Sequence, residues 1–194
     1  MHSPERQNAP GTELLGLARD SIEYGFVHGK PLPINCDELP AGLSDPAATF
    51  TTLRFADKLR GCCGTLEASR PLAADVAHSA FQAAFRDSRF DPLDKKEFGG
   101  VSLEVSVLSP MEPMAVTDEA DLLSQLMPGT DGLVIIEGWR RATFLPKVWE
   151  MLPEPEQFLA QLRLKCGLPA NYWSARLEFL RYRTTTYAEA GPGP

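Results

Sequence analysis

The chain has few of the residues that build metal sites and disulfide frameworks. Its 194 residues include only 4 cysteines and 3 histidines. The cysteines form no CxxC pair, and no histidine stands at metal-ligand spacing from a cysteine or another histidine. We therefore expect no bound metal, iron–sulfur cluster or other cofactor. The low cysteine density also argues against a disulfide-rich secreted scaffold and favours reduced thiols in a cytosol.

Long apolar runs and an excess of positive charge are missing as well. No hydrophobic stretch approaches the roughly 18 residues of a membrane span, and the first residues do not form a signal peptide. The sequence therefore predicts a soluble cytoplasmic protein. The net charge of −7 repels phosphate backbones, so nucleic-acid binding is the weakest of the functions considered.

The composition that remains is typical of a folded domain. Hydrophobic residues make up 43% of the chain and charged residues 23%, which is enough for a packed core without covalent staples. The two ends differ from the rest. Residues 1–10 are polar and lack periodicity, and residues 188–194 are small residues, Gly and Pro. We expect both ends to be frayed tails.

Hydrophobic periodicity predicts alternating groups of helices and strands. A helix over 13–26, capped by Thr12, comes first. The other predicted helices are 72–86, 120–127 and 155–166, and the predicted strands are 48–55, 59–66, 101–108, 132–137, 140–145 and 177–187. The strands occur in local hairpins with helices between them. This order favours an α+β fold, with a mainly antiparallel sheet flanked by helices.

Residues 59–64, with the letters LRGCCG, resemble the LRGCIG signature of the AMMECR-one family. One position departs from it, because the family usually has Ile where this chain has Cys63. The resemblance covers residues 12–187 as one domain. Further segments recur in order at 70–72 (RPL), 84–87 (AFRD), 89–90 (RF), 103–109 (LEVSVLS), 128–133 (PGTDGL), 140–146 (RRATFLP), 148–149 (VW) and 165–169 (KCGLP).

The resemblance implies a fold and a set of partners rather than a particular reaction. The fold is α+β, with a smaller subdomain packed on a larger one. The partners are a Memo-family protein, similar to extradiol dioxygenases, and a radical-SAM enzyme, which stand beside the family in many prokaryotic genomes. An accessory or interaction role with these partners follows as the first functional hypothesis.

The second hypothesis is an enzyme or small-molecule-binding protein that uses a cleft on the signature strand. Regular alternation would put Leu59, Gly61 and Cys63 on the core face and Arg60 with Cys62 on the other. Cys63 then fills core space as a small hydrophobe. Cys62 is the candidate nucleophile, because a guanidinium within about 4–6 Å favours the thiolate form.

Other side chains complete this hypothetical cleft. Gly61 and Gly64 favour a close approach by a ligand or by backbone, which makes them a candidate pocket floor. Glu104, on the polar side of another strand, is a candidate general base or an ion-pair partner of Arg60. The step formed by Arg140 and Arg141 offers a cation to an anionic ligand.

Less specific interpretations of the same residues stay open. Cys62 can be structural, a reactive thiol or a partner contact. Arg140 or Arg141 can stack on Trp139, and His78 can be an ordinary half-exposed histidine in a helix. These alternatives leave open whether the protein is an enzyme.

Overall fold

The computed structural model describes residues 9–35, 37, 39–40 and 42–189. Most of the two predicted tails lies outside these residues, but ordered structure extends further at both ends than predicted. A helix already includes Ala9 and Pro10, and Ala188 ends the last strand. These positions of the predicted tails belong to regular secondary structure, and fraying of the tails stays a prediction. At the C-terminal end, the amide of Glu189 donates to the carbonyl of Leu103 at 2.9 Å, which holds the chain against the sheet.

Helices and strands alternate along the described chain. The helices are Ala9–His28 (α1), Leu72–Phe85 (α2), Lys95–Phe98 (α3), Glu119–Gln125 (α4) and Pro155–Lys165 (α5), with a 3-10 helix at Pro146–Glu150. The strands are Pro46–Phe55 (β1), Lys58–Gly64 (β2), Arg70–Pro71 (β3), Val101–Leu108 (β4), Glu112–Pro113 (β5), Gly132–Glu137 (β6), Arg140–Phe144 (β7), Glu178–Tyr182 (β8) and Thr184–Ala188 (β9).

The chain divides into two compact units. The first comprises Met1–Leu108 together with Thr185–Pro194, and the second comprises Ser109–Thr184. Each unit has its own hydrophobic core. None of the helices in the described ranges is long and apolar enough to cross a membrane.

The first unit is a sheet with two long helices on one face. Its strand order is β2-β1-β4-β9, with β3 beside β1, and β1 is antiparallel to β2, β3 and β4. Alternation in β4 explains the layering, since Val101, Leu103 and Val105 are buried while Ser102 and Glu104 are half-buried. α1 and α2 pack on the buried side. The other side carries Thr52 of β1 and Glu104 of β4, which are opposite each other.

The second unit is built around a smaller sheet of order β5-β8-β6-β7, in which the pairings are antiparallel. The ring of Trp149 stacks on Phe158 of α5 with centroids 3.7 Å apart. Both rings are buried beside Leu133 and Ile135 of β6. Gly167 follows α5 with a φ of 75°, the left-handed conformation in which helices commonly end.

The prediction of one continuous strand over 177–187 is wrong. It is interrupted at Arg183, and its two parts, β8 and β9, belong to different sheets. At the break, the amide of Arg183 donates to Ser109 Oγ at 3.0 Å, and the amide of Ser109 donates to the carbonyl of Arg183 at 2.8 Å. Thr12 also lies inside α1 rather than capping it. The α+β class with mainly antiparallel sheets is confirmed.

Candidate functional site

The signature strand β2 contains a bulge that changes the predicted alternation. Leu53 of β1 is opposite Gly61, whereas the next residue, Arg54, is opposite Leu59. Arg60 is therefore an extra residue on β2. As a consequence Leu59 is 39% exposed, and the prediction that it points into the core is wrong. A bulge depends on the pairing with the neighbouring strand, which residue spacing within β2 does not encode.

The two glycines of the signature are required by close packing of protein groups. A Cβ on Gly61 would lie 2.2 Å from the carbonyl oxygen of Ala83 in α2. A Cβ on Gly64 would lie 2.2 Å from the carbonyl oxygen of Thr49 and 2.5 Å from the ring of Phe50. The sequence predicts that these glycines allow a close approach by a ligand or by backbone. Backbone carbonyl oxygens of the protein itself occupy the space beside both residues.

Arg60 is held by the first unit itself. Its Nε and Nη2 donate to the two carboxylate oxygens of Glu97 in α3 at 2.7 and 3.0 Å. Its Nη1 donates to the carbonyl of Asp91 at 3.0 Å. The ion-pair partner is thus Glu97 rather than Glu104. A bidentate pair of this kind fixes the plane of the guanidinium.

Cys62 lies on the edge strand of its sheet, where three polar residues surround it. Its amide donates to Asp87 Oδ2 at 2.9 Å, and its carbonyl accepts from Arg89 Nη2 at 3.3 Å. The hydroxyl of Thr52 donates to its sulfur at 3.4 Å. The guanidinium that contacts Cys62 therefore belongs to Arg89, and the contact is with the backbone.

Asp87 and Arg89 form an ion pair that closes this sheet edge. Arg89 Nη2 lies 2.7 Å from Asp87 Oδ2. Hydrogen bonds from Arg89, and then from the Cys62 amide, hold the pKa of Asp87 well below its usual range. The contacts of Asp87 and Arg89 with Cys62 are not predicted from the sequence. The signal was present in the family segments 84–87 and 89–90, but nothing in their spacing indicates that they fold back on β2.

Glu104 shares a face with Cys62 but is not beside it. Thr52 of β1 is opposite Cys62 on one side and opposite Glu104 of β4 on the other. The three residues form a row across the sheet, with neighbouring strands about 4.8 Å apart. Glu104 therefore stands about two strand spacings from Cys62, on the same polar face.

Cys63 has the environment that the sequence predicts. It is half-buried and packs against the core of the first unit, and burial raises the pKa of its thiol. A cavity of about 230 Å³ lies beside it, lined in part by Arg70, Asp75 and His78. Burial and the nearby Arg70 lower the pKa of His78, so this half-exposed imidazole is neutral at pH 7.

Arg140 and Arg141 belong to the second unit. Both lie on β7, where Arg140 is opposite Glu137 and Arg141 is opposite Ile136. The guanidinium carbon of Arg140 is 5.4 Å from the centroid of the Trp139 ring. This is the stacking arrangement that sequence analysis gave as an alternative to anion binding.

These features define an α+β protein of two compact units whose signature strand is a bulged sheet edge. The AMMECR1 family model matches residues 15–187, and the chain belongs to the AMMECR1 family. A protein of Methanothermobacter thermautotrophicus is 34% identical over 183 residues, which cover 93% of this chain and 95% of the relative. Protein MJ0810 of Methanocaldococcus jannaschii is 34% identical over 190 residues, covering 94% and 91%.

A solved structure supports the same fold. The crystal structure of the uncharacterized protein PH0010 from Pyrococcus horikoshii matches with a TM-score of 0.85 and 30% sequence identity. The match covers 95% of this chain and 94% of that chain. The α+β fold is therefore common to this chain and an archaeal relative.

Proposed function

We propose that the protein is an accessory component of the cytoplasm that acts by binding a Memo-family protein and a radical-SAM enzyme. Membership of the AMMECR1 family supports the choice of partners, because the signature resemblance implies them. The observation that carries a binding role is the exposed tip of the β6–β7 hairpin.

Trp139 occupies that tip with 89% of its surface exposed. It follows Gly138, whose φ of 62° permits the tight two-residue turn. Arg140 stands over the indole ring. Trp and Arg are the residues most enriched among those that dominate binding energy at protein interfaces. A large ring held in water on a short, well-defined turn is therefore suited to a partner contact.

Co-purification tests this proposal. A tagged copy in the native host is expected to recover the Memo-family protein, the radical-SAM enzyme or both, and Trp139→Ala is expected to weaken recovery at least about tenfold. Met151→Ala is the matched control, since Met151 is exposed to 76% in the same unit and should change nothing. Recovery of the wild-type chain alone under gentle conditions, or full recovery with Trp139→Ala, would contradict the proposal.

A thiol-dependent site on β2 is the second candidate function. The observation that favours it is the fixed position of Cys62, whose amide, carbonyl and sulfur are each in contact with a different polar residue. Its sulfur shares the polar sheet face with Glu104. Because Glu104 stands about two strand spacings from Cys62, it would act as a base on a substrate bound between them rather than on the thiol itself.

Alkylation by iodoacetamide as a function of pH tests this second candidate. The experiment uses a Cys63→Ile background to remove the neighbouring thiol, and peptide mass spectrometry separates alkylation of Cys62 from that of Cys36 and Cys166. A reactive thiol is expected to show an alkylation midpoint at least about one pH unit below that of a free thiol, which lies near 8.5. A midpoint near the free-thiol value removes the activated nucleophile.

A further inference from the structure

The second unit contains a cavity beside the β6–β7 turn. Its volume is about 370 Å³, within the range of sites for small organic ligands. The turn forms one wall, and the segment that follows α5 forms the other. The residues that matter for its chemistry are Glu137, Trp139, Arg140, Leu168, Tyr172 and Arg176.

Glu137 supplies a carboxylate that is only partly used. The side chain is 8% exposed. Its Oε1 accepts a hydrogen bond from the hydroxyl of Tyr172 at 2.9 Å. The same oxygen lies 3.0 Å from Arg176 Nη2. Its Oε2 is buried and has no hydrogen-bond partner among the residues that the structure describes. Buried carboxylate oxygens normally accept hydrogen bonds, so this one oxygen lacks its expected N–H or O–H donor.

Two arginines line the same cavity as this carboxylate. Arg140 is opposite Glu137 across the two strands, and Arg176 contacts it directly while remaining 81% exposed. The cavity therefore carries one negative and two positive groups. A ligand that only donates would leave an arginine unused, and a ligand that is only an anion would leave Glu137 Oε2 unpaired. A ligand with a cationic donor and an acidic group satisfies both.

The walls are apolar. Leu168 is buried, Trp139 presents an indole ring at the rim, and Pro169 also lines the cavity. Trp139 keeps 89% of its surface exposed while lining the cavity, so this contact leaves most of the ring available to a partner. Aromatic and aliphatic walls of this kind hold the apolar body of a ligand.

We propose that this cavity binds a free α-amino acid with an aromatic or branched apolar side chain. The ammonium donates to the Glu137 carboxylate. The carboxylate pairs with Arg176 or Arg140, and the side chain packs against Trp139 and Leu168. An α-amino acid carries its ammonium and its carboxylate on the same carbon, which matches the direct contact between the oppositely charged Glu137 and Arg176 side chains. The site goes beyond the partner-binding role and does not depend on it.

Calorimetric titration of the purified full chain tests this ligand class, with L-tryptophan and L-leucine as probes. Tryptamine lacks the carboxylate, and indole-3-propionate lacks the amine. Each of these analogues is expected to bind at least about tenfold more weakly than L-tryptophan, because each loses one charge-assisted hydrogen bond. Absence of binding by both amino acids at about 10 mM, or equal binding of the two analogues and L-tryptophan, would overturn the proposal.

Variants separate the two charged contacts. Glu137→Gln is expected to weaken L-tryptophan binding at least about tenfold, and Glu178→Gln, an exposed glutamate of the same unit, is the matched control. The double variant Arg140→Gln with Arg176→Gln should weaken L-tryptophan and leave tryptamine unchanged. This second comparison decides the question if Glu137→Gln does not fold. Unchanged L-tryptophan affinity in the folded double variant would contradict the assignment.

Discussion

Each unit buries an acidic side chain beside an arginine, and the two acids have different surroundings. In the first unit Asp75 is 1% exposed and both of its oxygens are used. Oδ2 accepts the amide and the hydroxyl of Thr49 at 2.9 and 2.7 Å. Oδ1 accepts from Arg70 at 3.2 Å. In the second unit only one oxygen of Glu137 is used.

The difference indicates what each acid does. Asp75 ties α2 to β1, and the hydroxyl of Ser79 extends the network to Thr51 at 2.7 Å. A buried polar network whose groups are hydrogen-bonded to one another within the protein stabilises the fold. Glu137 lines a cavity and has one buried oxygen without a donor, which destabilises the free protein and favours a ligand that supplies a donor. The first acid is structural, and the second marks a binding site.

Asp75→Ala would break the closed network and should have the largest effect. We expect it to lower the free energy of unfolding by roughly 3–5 kcal/mol, because the buried Thr49 amide and hydroxyl both lose their acceptor. Urea unfolding measures the change. Asp20→Ala on the exposed side of α1 is the control and should stay within about 0.5 kcal/mol. Equal effects of the two substitutions would show that the network contributes nothing.

Gly61→Ala tests whether the signature glycine is required by protein packing. The new Cβ would collide with the Ala83 carbonyl, so we expect a loss of about 1–3 kcal/mol in the free energy of unfolding. Gly16→Ala is the matched control, since nothing lies within 4 Å of a Cβ there. Because Gly16 is inside α1, replacing it by alanine should raise the free energy of unfolding by roughly 0.5–1 kcal/mol. A neutral Gly61→Ala would mean that the strand is free to move away from α2.

Asp87→Asn should change how stability depends on pH. The pKa of Asp87 is depressed in the folded state, so its ionised form stabilises the protein above the unfolded pKa of about 3.9. That contribution is lost as pH falls below this value. We expect the variant to be less stable by roughly 1–2 kcal/mol at pH 6–7, with the difference shrinking towards pH 3. Urea unfolding across this range measures it, and a constant difference would contradict the ion-pair account.

Cys63→Ile should have the smallest effect. The residue packs on the core of the first unit and borders the cavity of about 230 Å³, so the added methyl groups have space. We expect the free energy of unfolding to change by less than about 1 kcal/mol. Ala84→Ile, at a buried alanine of α2, is the contrast and should lower the free energy of unfolding by about 1–3 kcal/mol. A large loss from Cys63→Ile would give the thiol a specific role.

Hydrophobic periodicity predicts many of the helices and strands, because each of these elements is determined by residues close together in sequence. The strand at 101–108 and the first half of the hairpin at 132–137 have the predicted bounds, and α2 and α5 differ from their predictions by a single residue at one end. The two-residue strand Arg70–Pro71 and the short α3 were missed, because elements this short carry no periodic pattern.

The candidate sites depend on contacts between residues distant in sequence, so the pattern along one strand could not reveal them. The bulge at Arg60 arises from pairing with β1, and the partner of Arg60 is Glu97 in another element. Likewise, Glu137 meets Tyr172 and Arg176 only when the chain after α5 returns to the hairpin. The sequence predicts a role for Arg140 in this hairpin, but it does not indicate that the Glu137 carboxylate belongs to the same site.

The most direct measurement compares the amide substitutions Asp75→Asn and Glu137→Gln by urea unfolding without added ligand. If the first network is closed and the second open, Asp75→Asn should cost about 2 kcal/mol or more, because an amide places a donor where an acceptor is needed. Glu137→Gln should cost less than about 1 kcal/mol, because it removes a partly unpaired buried charge. Equal losses for the two variants would contradict the distinction between a structural acid and a binding acid.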